Sequence, residues 1–382
     1  MSRLSLFFLR LGTTAFGGPA AHIAMMEDEL VKRRRWVRQD KFLDLLGAAN
    51  LIPGPSSTET AIFIGYLCAG RMGLLLSGVC FIFPATVMVM ALAWVYVQYG
   101  NLPQVAWLLY GVKPVIIAIV LQAILGLGRT AVKNKFLGAM AAVGITLSIL
   151  EVNPIALLAG TGLVMGLRQG FIQDWRRHRV SMLVMLLVAC SFPAGAYFAS
   201  GLHAAGKVDF GLLPLFLFFL KIGSVVFGSG YVLLAFLHTD LVDHWHWLTT
   251  TQLLDAIAIG QVTPGPVFTT ATFIGYLLAG VPGALIATAG IFLPSFFFVA
   301  IGSLIMPLLR RSEIAGAFLD GVIVASLALM AVVTWSLGRG ALIDLPTSLL
   351  AAGSAVLLIR FHLNSLWLVL GGAIIGMAFQ FY

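Results

Sequence analysis

Charge is what this chain has least of. Asp, Glu, Lys and Arg make up 10% of its 382 residues, against roughly a quarter in an ordinary soluble domain, so most of the surface cannot face water. With 60% hydrophobic residues and a strongly positive mean hydropathy, lipid is the solvent that fits. At about 20 residues per helical crossing of a ~30 Å hydrocarbon core, the chain holds about a dozen apolar segments and almost nothing else, which excludes a large soluble catalytic domain. Cysteine is scarce too. Cys68, Cys80 and Cys190 are an odd number in apolar stretches, with no CxxC pair, so neither a disulfide framework nor a metal site is expected. No Walker A, HExxH, GxSxG or nucleic-acid signature occurs where its structural context would support it. That argues against an enzyme, against ATP-driven pumping by this chain alone, and against a cofactor or a nucleic-acid partner. The opening run MSRLSLFFLRLGTTAFGG is interrupted by Arg10 and continues into glycines, so a cleaved signal peptide is not expected.

What the chain does have is a tandem duplication. Phe7-Phe8-Leu9-Arg10-Leu11-Gly12 is answered by Phe218-Phe219-Leu220-Lys221-Ile222-Gly223, an offset of 211 from Phe7 to Phe218. Phe16-Gly17-Gly18 is answered by Phe227-Gly228-Ser229, and Pro53-Gly54-Pro55 by Pro264-Gly265-Pro266. After one gap the offset is 210, matching Phe63-Ile64-Gly65-Tyr66 with Phe273-Ile274-Gly275-Tyr276, then Gly70 with Gly280, Gly73 with Gly283 and Pro84 with Pro294. Each half divides into six apolar segments. They lie at about 4–26, 42–70, 73–99, 105–127, 136–150 and 153–167, and again at about 211–237, 252–280, 283–306, 316–337, 342–359 and 363–381. One span at about 181–200 has no counterpart. The expected fold is an all-α polytopic membrane protein: a first repeat over 1–168, a basic linker with its own span over 169–209, and a second repeat over 210–382.

An odd number of crossings turns the second repeat over, so inverted topology is expected. The basic residues support this through the positive-inside bias, which also accounts for the net charge of +8. Lys32-Arg33-Arg34-Arg35, Arg38 and Lys41 crowd the loop after the first segment, whereas the equivalent second-half stretch, from Thr239 to His246, carries aspartates and histidines. All the basic loops fall on one side if the first two segments of each half dip in and return. Their central Gly17-Gly18-Pro19 and Pro53-Gly54-Pro55 suit such broken or re-entrant helices.

Those breaks are the chemical candidates. Proline and glycine inside an apolar segment release backbone groups that lipid cannot satisfy, at several kcal/mol each. Paired breaks near the midplane can present half-helix N-termini to a small anion. The candidate binding set is therefore Phe16, Gly17, Gly18 and Pro19; Pro53, Gly54, Pro55, Ser56 and Ser57; Gly228, Ser229 and Gly230; and Pro264, Gly265, Pro266 and Thr269. Arg10 and Lys221 occupy equivalent places before the glycines, and an inward role in anion attraction is expected of both. Lys113, beside Pro114, is either a binding cation or an interfacial anchor. Glu59, opposite Thr270, either exchanges protons or caps a half-helix. The matched Asp44 and Asp255 read as helix-start residues. His238, His244 and His246 among Trp245 and Trp247 read as an interfacial belt.

Phe16-Gly17-Gly18-Pro19-Ala20-Ala21-His22-Ile23, and Pro53-Gly54-Pro55 through Ile64-Gly65-Tyr66 to Ala69-Gly70, Gly73 and Pro84, resemble the signature of the chromate ion transporter family, in its long members that carry both repeats. The resemblance covers nearly the whole chain; the second copy departs at Ser229 and Gly230, which stand where the first has Gly18 and Pro19. It implies a multi-pass protein of the bacterial inner membrane that exports chromate on the electrochemical gradient and confers chromate resistance. Chromate is a tetrahedral dianion close to sulfate in size and charge, so sulfate is an alternative substrate. A homodimer is compatible with the sequence, and a non-transport intramembrane protein is the third reading.

Overall fold

The computed structural model describes residues 2–16, 18–100, 102–172, 209–227, 230–309, 312–361 and 363–379. The expected linker span and most of the basic linker lie outside these residues, as do Gly17, Gly228 and Ser229. Every element among the described residues is helical. The first half runs α1 (Ser2–Thr14), α2 (Gly18–Met26) continued by a π-helical stretch (Glu27–Arg33), α3 (Gln39–Ala49), α4 (Ser56–Tyr99), α5 (Pro103–Ala131), α6 (Lys135–Ile149) and α7 (Pro154–Ile172). The second half repeats the order. It runs α8 (Leu212–Val225), a 3-10 turn (Gly230–Val232) entering α9 (Leu233–Phe236) and a second π-helical stretch (Leu237–His244), α10 (Thr250–Val262), a 3-10 turn (Val267–Thr269) opening α11 (Thr270–Leu309), α12 (Glu313–Ala341), α13 (Leu345–Phe361) and α14 (Ser365–Phe379). Four of these helices, α4, α5, α11 and α12, are long and apolar enough to cross a membrane. Large apolar side chains such as Leu150, Leu213, Trp335 and Ile374 stand exposed around the outside, where lipid rather than water is the compatible surrounding.

The duplication extends to backbone angles. Within α4 the helix breaks at Ala69 (φ −147°, ψ 24°) and Gly70 (φ 60°, ψ −148°), and within α11 at Ala279 (φ −147°, ψ 25°) and Gly280 (φ 62°, ψ −149°). The conformation of Gly70 and Gly280 is one that residues with a Cβ rarely adopt. Across each break the chain folds back on itself: Gly65 packs on the carbonyl of Gly73 and Gly73 on that of Gly65, as Gly275 and Gly283 do. In a straight helix residues eight apart are about 12 Å distant, so this contact requires a reversal. Each of these helices is thus a hairpin. In α4 the limb over 56–68 reaches only about 20 Å, too short for a ~30 Å core, while the limb over 71–99 reaches about 43 Å.

A second reversal lies at α1. Ser2, Arg3 and Leu4 share an open pocket with Trp36 and with Leu67, Cys68 and Ala69. The start of α1, the chain after the π-helical stretch and the bend of α4 therefore sit at one end of the molecule. Between them Phe8, Leu11, Ala15, Met26, Leu30 and Phe42 form one buried cluster. So α1 runs in and α2 with its π extension runs back; α3 runs in and the short limb of α4 runs back. Phe16 and Gly18 stand at the tip of the first of these hairpins, and Pro53, Gly54 and Pro55 at the tip of the second.

The halves interlock. α4 packs on α11 and α5 on α12, while α6 and α7 lie on α12 and α13 and α14 on α5. Two polar ties show that α5 and α12 run in opposite directions. Lys133, just past the end of α5, pairs at 2.7 Å with Asp320 near the start of α12, and Tyr110 near the start of α5 donates at 2.7 Å to Asp344 just past the end of α12. Asp344 also accepts from the Thr347 N–H at the start of α13; that bond and the Tyr110 hydroxyl hold its carboxyl below the usual range.

Candidate functional site: two junctions between opposing helix breaks

The hairpin tips of one half meet those of the other. Gly54 N–H donates to the carbonyl of Val226 at 2.7 Å, and Gly265 N–H donates to the carbonyl of Ala15 at 3.0 Å. Val226 follows the end of α8 and precedes Phe227; Ala15 follows the end of α1 and precedes Phe16. Each Pro-Gly-Pro tip is thereby hydrogen-bonded to the residue just before Phe16 or Phe227 in the opposite repeat. The chemistry of the motif explains the bond, because the two prolines have no N–H and the central glycine is its single donor. Pro53, Gly54, Pro55, Pro264, Gly265 and Pro266 are all buried. Phe16, Gly18 (φ +74°) and Pro19 are half-buried at the first tip, and Gly230 is buried against Val267 and Phe268.

At the first junction, α4 begins at Ser56 directly after Pro55, whose carbonyl already takes the N–H of Thr58 and Glu59. The N–H groups of Ser56 and Ser57 belong to the helix's open first turn and have no intrahelical acceptor. Ser56, Ser57, Thr58, Glu59 and Thr60 are all buried there. The Glu59 carboxyl folds back against Gly54, and Ser295 of α11 reaches the same point from the opposite repeat. A Cβ on Gly54 would collide with Glu59 Oε1 and lie 2.7 Å from Ser295 Oγ, so no other residue fits (φ +132°). Both Glu59 oxygens, Thr58 Oγ1 and Ser295 Oγ are fully buried with no hydrogen-bond partner among the described residues. Buried polar groups are normally paired, so the Glu59 carboxyl and Ser295 Oγ together at Gly54, with Thr58 Oγ1 on the adjoining residue, mark a site built for something other than packing.

The second junction has the same backbone and different contents. Ala85 occupies the place of Ser295, against Gly265 (φ +100°). Thr269 and Thr270, in place of Thr58 and Glu59, donate to the carbonyls of Pro266 and Val267 at 2.8 Å each. The one ionisable side chain at this tip among the described residues is His22, buried, with Nε2 at 3.1 Å from the Ala15 carbonyl and Nδ1 unpartnered.

The basic candidates take other places. Lys113 pairs at 2.9 Å with Asp255, which also accepts from Tyr96 OH at 2.7 Å, so the carboxylate of one repeat is neutralised by the other. Asp255 lies in the middle of α10, only 2% exposed; the helix-start reading suits neither it nor Asp44, which lies exposed beside Lys41. Lys221 pairs with Asp240 at 2.6 Å. Arg10 turns outward on the exposed side of α1, near exposed Leu6 and Leu9. His238 is buried, pairs with Asp243 at 2.9 Å and approaches Ser336 at 3.2 Å, while His244 and His246 stay exposed.

Sequence reasoning passed over Ser295, Asp240 and the pairing of Asp255. For Ser295 a signal existed, since it stands opposite Ala85 at the repeat offset, one residue after the matched prolines Pro84 and Pro294. A hydroxyl in an apolar run where the other copy has a methyl is a candidate on that ground alone.

The pattern of one family, chromate transporter, matches residues 2–167 and again 213–377. The chain belongs to the chromate transporter family. It is 34% identical to the chromate transport protein of Cupriavidus metallidurans over 99% of this chain and 92% of that protein. It is 32% identical to the probable chromate transport protein of Synechococcus elongatus (92% and 88%) and 32% identical to the chromate transport protein of Pseudomonas aeruginosa (98% and 92%). No solved structure matches the chain. Membership and the apolar helices together make it a multi-pass membrane protein of a transporter family.

Proposed function

We propose that this chain exports chromate across the bacterial inner membrane as a secondary transporter and so gives chromate resistance, with the dianion held at the first junction. The observation that carries the site is the reciprocal pair of bonds, Gly54 to Val226 and Gly265 to Ala15, which gathers interrupted helices from both repeats in the middle of the chain's apolar mass. At the first of these, the open amides of Ser56 and Ser57 and the hydroxyls of Ser56, Ser57 and Thr58 suit a tetrahedral oxyanion. The antiparallel course of α5 and α12 supports inverted repeats. With the hairpin tips as re-entrant segments, Arg3, the 32–41 loop, Arg71 and Lys133 share the cytoplasmic side. Alternating access then takes the form of one repeat rocking against the other about the junctions. Expelling the dianion alone from a negative-inside cell is favoured by about 4.6 kcal/mol per 100 mV, and with one proton beside it by about 2.3, so no ATP is needed.

The test is uptake of labelled chromate by everted membrane vesicles containing the chain. Accumulation above empty vesicles that collapses with the membrane potential is expected; uptake equal to the control would defeat the reading. Sulfate is the second substrate to try, because the amides and hydroxyls at the start of α4 match any tetrahedral dianion. Sulfate added in excess should compete if it shares the site.

A further inference from the structure

We propose that Glu59, with Ser295 of the opposite repeat beside it, is a proton site that must be filled before the dianion can occupy the start of α4, so that one proton and one dianion cross together in the same direction. The inference rests on the first junction being the substrate site, and it fixes the sign of coupling there.

The geometry sets the two ligands against each other. The Glu59 carboxyl lies against Gly54, beside the first turn whose amides face the anion, and it is 0% exposed. If Glu59 only capped its helix, an oxygen would accept an N–H bond; among the described residues neither does. Nor do the described residues place a cation at hand to shield it. On the helices packed against α4, α1 contributes Arg3 and Arg10, both exposed, and α2 contributes His22, committed to the Ala15 carbonyl at the other junction. α3 contributes Asp40, Lys41 and Asp44, all exposed, and α10 contributes Asp255, held by Lys113 and Tyr96. α11 and the turn before it carry no ionisable group but Tyr276. On α4 itself, Cys68, Arg71 and Tyr99 are exposed, Tyr66 and Cys80 half-buried, and Tyr96 bonded to Asp255.

A carboxylate and a dianion sharing so small a space, with no positive charge from the described residues between them, repel strongly. Protonation removes that repulsion and turns the carboxyl into a hydrogen-bond donor, either to the anion or to Ser295 Oγ, whose own proton is then free for the anion. By linkage, each ligand strengthens the other by the same factor. Had the site been arranged for exchange, the proton and the anion would compete for one place; here they complete each other. The unit that moves is a protonated Glu59 with a bound dianion, which carries a net charge of −1 rather than −2 relative to the empty carboxylate form. The proton leaves the carboxyl on the side where the anion is released.

The full chain in liposomes with a trapped pH indicator, at zero potential and at a pH alkaline enough for chromate to be the dianion, tests this directly. A chromate gradient should acidify the compartment that receives chromate, with about one proton per anion. Protons moving the other way, or not at all while chromate moves, overturn the coupling and leave the transport reading standing; absence of any chromate flux defeats the transport reading instead. The second measurement is chromate binding against pH. The wild-type affinity should weaken about tenfold per pH unit on the alkaline side, and Glu59→Gln should flatten that slope. A slope unchanged in Glu59→Gln removes Glu59 as the proton site. If that variant does not fold, Ser295→Ala should shift the pH at which affinity falls, and an unshifted profile overturns the pairing.

Discussion

Where Gly54 meets Val226 the neighbouring side chains are Thr58, Glu59 and Ser295; where Gly265 meets Ala15, the same positions hold Thr269, Thr270 and Ala85. The backbones agree closely, yet the hydroxyls of Thr269 and Thr270 are bonded within their own turn, whereas the side-chain oxygens of Thr58, Glu59 and Ser295 have no partner among the described residues. The two halves share the scaffold that brings two broken helices together, but the unpartnered carboxyl and hydroxyl oxygens lie at the first junction, and the second has the His22 Nδ1 instead. The two junctions therefore need not act equally on a substrate.

The largest effect is expected at a bond between the repeats rather than at a junction. Lys113→Ala leaves Asp255 buried without its cation, at about 3–5 kcal/mol; thermal unfolding in detergent should show it, and adding Asp255→Asn should recover most of the loss. Lys221→Ala is expected to cost less, because Asp240 keeps His244 at 3.7 Å. At the junctions, Gly54→Ala should lower chromate transport per folded molecule about a hundredfold, since its Cβ displaces Glu59 and Ser295 together. Gly265→Ala meets the Ala85 methyl instead, so it should show first in the amount of folded protein; equal transport losses at both would erase the distinction. Ser295→Ala should cost about tenfold in transport, the scale of one hydrogen bond, against less than about twofold for Ala85→Ser. Smallest is Arg10→Ala, outward on α1, for which a change within about twofold is expected. A tenfold fall in vesicle uptake would return Arg10 to the anion's path.

The broken segments were legible because lipid makes them costly: proline and glycine in an apolar run leave few structural explanations, and their recurrence at one offset removes most of those. The basic residues fall on one side only if Gly17–Pro19 and Pro53–Pro55 are turning points, which is the course the proposed topology takes. The partners of the charged residues were not legible. Lys113 and Asp255 are far apart in sequence, and whether a basic side chain meets an anion, a carboxylate or the lipid surface depends on helix rotation, which spacing within one segment does not specify. Arg10 and Lys221 occupy equivalent positions, yet one turns outward and the other is paired.

Composition and the internal repeat determined, without coordinates, that this chain is helical, lipid-embedded and built twice from one unit, because backbone hydrogen bonding in hydrocarbon allows little else. Only the tertiary structure decided that each Pro-Gly-Pro tip bonds to the opposite repeat, that the basic residues Lys113 and Lys221 are neutralised, and that Ser295 joins Glu59 at one junction. Those outcomes come from packing between separate segments, from 19 residues apart for Lys221 and Asp240 to well over a hundred for the others, where the rotation of each helix is set by its neighbours and not by its own sequence.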